Sequence, residues 1–129
     1  MMPFPDASFD LVTICFATRN LNLDRPRMLA ALREFRRVLR PGGIFLNLET
    51  TRPPSAPLWA LMRIYVKTGI GLLNALSPKN RASYSFLRNT ILTFYGPEEF
   101  STLLAEAGFA APSCRLLLPG AVAVHTAVR

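Results

Sequence analysis

Arg19 and Asn20 end the stretch "FDLVTICFATRN", where an apolar run stops at two polar groups. A guanidinium stays protonated in proteins, so Arg19 is no ordinary general base. It offers a fixed positive charge and a fork of donors, suited to an oxyanion or to a water that takes up a proton. Asn20 adds an amide that both donates and accepts. The same two residues are also what a strand running out into a solvated loop would show. Four more residues carry usable chemistry. Cys15 closes the apolar run, Glu49 closes a second run "IFLNLET", Tyr84 falls in a helical stretch, and His125 lies in "VAVHTAV". Each has a structural alternative: a core thiol, an exposed strand end, a packing ring and a satisfied core histidine. With a single histidine in the chain, a Ser-His-Asp arrangement and a cluster of metal ligands are both unsupported.

The elements that must position these groups read as α/β. "FDLVTICF" is a nearly continuous apolar run, the pattern of a parallel strand covered on both faces. A helix follows, with Asp24 able to cap it and Pro26 suited to its first turn. Met28, Leu29, Leu32, Phe35, Val38 and Leu39 repeat along it with helical period. "LRPGG" should stop it, and "IFLNLET" reads as a second buried strand. Strand, helix and strand with short connections make a right-handed βαβ crossover. Ligands in open α/β sheets bind beyond the carboxyl ends of the strands, where Arg19 and Asn20 fall. "TRPPSAP" then breaks the chain. Two apolar helical stretches follow, over about 58–76 and 83–93, and a helix runs from Pro97 to Gly108. The last residues read as two strands around a turn at Pro119–Gly120. The first strand is left without a neighbour on one side, an edge expected to pair with a second chain or with a copy of itself.

A chain of 129 residues that is half hydrophobic and less than one-fifth charged is a single folding domain. The net charge of +7 points to anionic surfaces, phosphate or acidic lipid, unless the chain is simply basic. Arg33, Arg36, Arg37 and Arg40 cluster at helical spacing, but no aromatic-studded basic motif accompanies them, which argues against nucleic acid. Cys15 and Cys114 lie far apart in apolar runs and read as buried free thiols of a reducing compartment. No signal-peptide pattern opens the sequence, so a cytoplasmic location is expected. "PLWALMRIYVKTGIGLLNALS" is interrupted by Arg63 and Lys67 and should not span a bilayer. Its many apolar residues serve either core packing or a greasy lid, with the two cations meeting acidic headgroups.

Four segments together, "PFPDASFDLVTICFATRN", "LREFRRVLRPGGIFLNLE", "SYSFLRNTI" and "LLAEAGF", resemble one family. From about Pro3 onward the chain is similar to the C-terminal half of the UbiE-type C-methyltransferases of ubiquinone and menaquinone biosynthesis. These are class I S-adenosylmethionine-dependent methyltransferases. "PFPD-x-SFD", "RVLRPGG" and "EAGF" are general to class I. Arg19–Asn20, Ser83–Ile91 and "VAVH" point to the quinone branch. The resemblance implies part of a Rossmann-like sheet, strands four to seven, with a terminal antiparallel hairpin. It makes 1–129 a partial methyltransferase domain without the cofactor-binding half, and 53–95 a helical lid insert. It implies S-adenosylmethionine as cofactor and C-methylation of a demethylated quinol or a related lipophilic phenol. Arg19 and Asn20 would be catalytic, facing the quinol oxygen and the methyl donor. Cys15 would stand where the family has a serine beside the cofactor, and Tyr84 would reach the substrate. A lipophilic substrate adds an expected peripheral contact with the inner membrane. The sequence departs from the family in one large respect. Its only G-x-G, Gly69-Ile70-Gly71, lies in a helical stretch and not after a strand. Cofactor binding by this chain alone is therefore in question. The alternative reading is a non-catalytic binding module, or partner subunit, that kept a methyltransferase half-fold.

Overall fold

The computed structural model describes residues 2–21 and 24–129, and only the backbone of Pro78. Strand β1 (Phe9–Cys15) is followed by a 3-10 turn at Thr18–Leu21 and helix α1 (Arg25–Val38). Strand β2 (Leu39–Thr50), helices α2 (Ala56–Leu76), α3 (Arg81–Thr93) and α4 (Pro97–Glu106) come next, then strands β3 (Ala110–Leu117) and β4 (Val122–Val128). The sheet order is β1-β2-β4-β3. β1 and β2 are parallel, with Leu11 opposite Ile44 and Cys15 opposite Leu48. β4 runs antiparallel to both β2 and β3. The expected βαβ pair, terminal hairpin and open edge at β1 are all present.

Helix α1 starts as its sequence requires: the Asp24 carboxylate accepts the Arg27 amide at 2.8 Å, with Pro26 in the first turn. It ends sooner than "LRPGG" suggests. Leu39 is extended, fully buried, and already opposite Phe9 in the β1–β2 ladder, so burying its side chain ends the helix before the proline is reached. Gly42 takes a positive φ of 79°. At Gly43 an added Cβ would lie 2.9 Å from the Arg40 carbonyl oxygen and 3.1 Å from that of Asp10. The bend of β2 on its own Arg40 carbonyl, with β1 close on the other side, leaves room there for glycine only.

The core lies on one face of the sheet. Met28 and Leu32 from α1, with Phe100, Leu103 and Leu104 from α4, close over Phe45, Ala127, Val12 and Ile14. Phe35 stacks on Phe45 at 5.5 Å, and Phe45 meets Phe109 at 5.3 Å. On the opposite face Leu11 and Ile44 are exposed, so the apolar run of β1 is covered on one side and not on two. Both cysteines are also exposed, contrary to the buried thiols expected. Cys15 stands at the end of one edge strand of the described sheet, and Cys114 lies on β3, the strand at its other edge.

Much of the arginine cluster is engaged in internal bonds. Arg37 binds Glu34, Asp6 and the Phe4 carbonyl. Arg36 donates to the Gly108 carbonyl at 2.8 Å, and Arg40 pairs with Asp10. The hydrogen bond from Arg37, with a backbone bond from Met2, holds the Glu34 carboxyl down at about 2. Helices α2 and α3 form a hairpin that packs chiefly on itself and on the turn Thr18–Leu21. Only Val66 and Ile70 of α2 are buried, so core packing does not account for its other apolar residues. Among the described residues no helix is long and apolar enough to cross a membrane.

Candidate active site

The carboxyl end of β1 is where the chain turns over the sheet. Phe16 continues the ladder to the Leu48 carbonyl at 2.8 Å while its φ of 50° reverses the backbone. The 3-10 turn that follows carries Thr18, Arg19 and Asn20 across the end of β2. Strand alternation places Phe45, Asn47 and Glu49 on one face of β2. The two polar members sit under that turn, and both are buried.

Glu49 organises the site. Its carboxylate accepts the Arg19 Nη1 at 2.6 Å and the Arg19 backbone N–H at 3.2 Å. It also accepts the Thr50 backbone N–H at 2.8 Å and the Thr50 hydroxyl at 3.0 Å. The Arg19 side chain is 13% exposed and that of Glu49 only 1%. A pair this withdrawn from water adds little net stability, because desolvation offsets most of the attraction; what it supplies is a fixed orientation. Among the described residues the Arg19 Nε is buried without a partner, and Asn20 is exposed beside it. Sequence alone left Glu49 as either a group with usable chemistry or an exposed strand end. It is neither exposed nor free.

A layer of polar groups lies beneath. The Thr18 hydroxyl donates to Asn47 Oδ1, both residues being wholly buried. Asn47 stands directly opposite His125 in the β2–β4 ladder. The Nε2 of His125 is 3.0 Å from the Pro97 carbonyl oxygen, which can only accept, so Nε2 carries the hydrogen and Nδ1 is bare. Burial pushes the His125 imidazole pKa down, with the Pro97 bond opposing in part, and the ring lies edge-on to Phe100 at 4.9 Å. Asn47 Nδ2 and His125 Nδ1, a donor and an acceptor, are both buried on adjacent strands without a partner among the described residues. His125 is therefore a core histidine bonded through one nitrogen. Thr18 and Asn47 escaped sequence reading. The available signal was "NLE", in which strand alternation sends two polar side chains to the face of Phe45.

The sequence-derived residues are thus distributed unequally. Arg19 and Asn20 stand together over Glu49. Tyr84 is half-buried on α3, the helix that packs on their turn. Cys15 is at the β1 edge, just before Phe16. A cavity of 620 Å³ lies elsewhere, lined by Arg52, Trp59, Gly96, Glu99 and Cys114 among others, and includes none of the four. Among the described residues no three His, Cys, Asp or Glu groups converge as a metal site.

The model of the ubiE/COQ5 methyltransferase family matches residues 1–129. A demethylmenaquinone methyltransferase of Staphylococcus aureus is 36% identical over 124 residues, covering 96% of this chain and 50% of the relative. The chain thus spans about half the length of the curated relatives it matches. Among solved structures, a SAM-dependent methyltransferase of Thermotoga maritima superposes with a TM-score of 0.64 at 19% identity, over 99% of this chain and 59% of the other. A SAM-dependent methyltransferase of Methanosarcina mazei gives 0.59 at 16% identity, over 100% and 63%. At those identities the structural likeness establishes the fold, a class I methyltransferase sheet.

Proposed function

The chain belongs to the ubiE/COQ5 methyltransferase family, and from that premise we propose that it forms the acceptor-side half of an S-adenosylmethionine-dependent quinol C-methyltransferase. The observation that carries this reading is the buried Glu49 carboxylate, which holds Arg19 at the carboxyl end of β1. The relative named as a demethylmenaquinone methyltransferase supports a demethylated, lipophilic quinol as the acceptor. Residues 53–95 serve as the lid over it.

The chemistry asked of this chain is to make a ring carbon nucleophilic. That carbon becomes reactive when the neighbouring phenol gives up its proton, so a positive charge placed at the phenolic oxygen favours the reacting state. Arg19, its charge balanced by Glu49, answers that need with its remaining guanidinium N–H donors, aimed at that oxygen. Because Glu49 takes its Nη1 and its backbone N–H, the guanidinium cannot swing away, and its position is set before substrate arrives. Asn20, exposed beside it, positions the phenol or the water that receives its proton. Tyr84 on α3 contacts the ring or its oxygen, and α3 excludes bulk water.

S-adenosylmethionine would supply an electrophilic methyl group. The residues present fit one end of it. Cys15 and Phe16 are exposed where β1 ends, next to an edge with no neighbouring strand, and offer one wall for the methyl-bearing sulfonium. Gly69 and Gly71 are interior to α2 and cradle nothing. The rest of the cofactor needs groups from outside this sheet.

The test is anaerobic methyl transfer to a short-chain demethylmenaquinol, with binding of the quinol and of S-adenosylhomocysteine measured separately by calorimetry. Quinol binding that falls at least tenfold in Arg19→Ala is the expected result, with turnover wherever the cofactor also binds. A folded chain that binds neither compound would overturn the proposal.

A further inference from the structure

Between Glu49 and Glu98 the sequence contains no acidic residue, yet it carries Arg52, Arg63, Lys67, Lys79, Arg81 and Arg88. Arg52 is neutralised by Glu99. The others belong to the α2–α3 hairpin and its connection. The hairpin's inner seam is formed by Val66 and Ile70 of α2 against Leu87 and Ile91 of α3. Its far end is apolar and outward-facing: Leu72 is 62% exposed and Leu76 72%, one helical turn apart on the same side of α2. Lys79 and Arg81, both exposed, follow directly in the turn to α3. Leu73, part-exposed at the same end, lies on the seam side of α2 with Val66 and Ile70.

A single exposed leucine needs no explanation, but two on one side of a helix end beside two exposed cations do. A second copy of this segment is a poor occupant. An isologous contact would bring the two cationic tips together with no acid in the segment to offset them. An anionic bilayer suits both features at once. Leucine side chains enter the boundary between headgroups and acyl chains while Lys79 and Arg81 stay among the phosphates. We propose that the tip of the α2–α3 hairpin docks the protein on an anionic membrane surface, through Leu72 and Leu76 with Lys79 and Arg81. This deepens the lipophilic-acceptor reading, since a lid that rests on the bilayer opens toward a quinol dissolved in it.

The experiment is co-sedimentation of the full chain with vesicles, in the absence of quinol and S-adenosylmethionine, so its result is independent of whether the chain methylates anything. Vesicles of phosphatidylcholine with about one-third phosphatidylglycerol are compared with phosphatidylcholine alone. Each cation near an anionic surface contributes about fivefold in partitioning. Binding to the anionic vesicles should therefore drop at least 25-fold in K79E/R81E, and comparably in salt on the order of 0.5 M. L72S/L76S should weaken binding to the same vesicles while circular dichroism stays unchanged. R63E/K67E, which places the same charge change away from the tip, should weaken it less. Equal binding to both vesicle types, no binding to either, or equal losses in the two charge-reversal variants would overturn the proposal. So would self-association that L72S/L76S abolishes in a chain that never sediments with lipid.

Discussion

At the scale of single residues, the site rests on carboxylate and imidazole groups that the sheet buries. Glu49→Gln would leave the Arg19 cation without its partner. Removing one member of such a pair costs roughly 3–5 kcal/mol, and the lower end applies here because Arg19 keeps some contact with water. Urea unfolding should show that loss, whereas Asn20→Ala, at an exposed position, should leave the midpoint within about 0.5 kcal/mol of the parent. His125 predicts a pH effect of definite sign. Its folded pKa lies below the ordinary 6.5, so above that pH both states are neutral and its contribution is complete. Below 6.5 the unfolded chain takes up a proton the folded chain refuses. Stability should fall with pH from there down to the folded pKa, at a limiting slope of about 1.4 kcal/mol per unit. Unfolding followed between pH 7.5 and 5 checks this, and His125→Gln should flatten the slope. Glu34 titrates in a separate, more acidic window, near its value of about 2.

At the scale of elements, two kinds of glycine give opposite expectations. Gly43→Ala would drive a methyl group into the Arg40 carbonyl of β2 itself and the Asp10 carbonyl of β1, and overpacking of this kind costs about 1–3 kcal/mol. Gly71→Ala, in mid-helix with no atom within 4 Å of the new methyl, should raise the melting temperature through a gain of up to about 1 kcal/mol. A pair of melting curves decides both. The elements were largely legible in the sequence because their signals are local: Asp24 and Pro26 for α1, Pro97 for α4, Pro119–Gly120 for the hairpin turn. The end of α1 was not, since Leu39 leaves the helix for a tertiary reason, its place opposite Phe9. The site was half legible. Arg19 and Asn20 show in the sequence as polar groups at a strand end. The partnership of Arg19 with Glu49, and of Thr18 with Asn47, depends on a parallel register that no local pattern reports. Cys15 and Cys114 are exposed despite their apolar neighbours, because an apolar neighbourhood in sequence does not say which face of a strand is covered.

At the scale of the whole molecule, β1 stands at one end of the strand order, with Leu11 and Ile44 bare on the uncovered face. We expect a neighbouring strand, from a second chain or another copy, to be accepted there. Light scattering at rising concentration should give a mass above the 14.3 kDa of one chain, and Leu11→Lys should return it to that value. The same strand order also bears on how the chain reaches its fold. β4, the last strand in the sequence, sits inside the sheet between β2 and β3, and Ala127 and His125 on it complete the core. On the ribosome, β1, α1 and β2 emerge long before the strand that must lie against β2. Until residues 122–128 clear the exit tunnel, the inner side of β2 offers unpaired backbone and apolar surface to whatever is nearby. Synthesis of this protein is thus a race between the last strand and any chaperone or misdirected strand that finds β2 first.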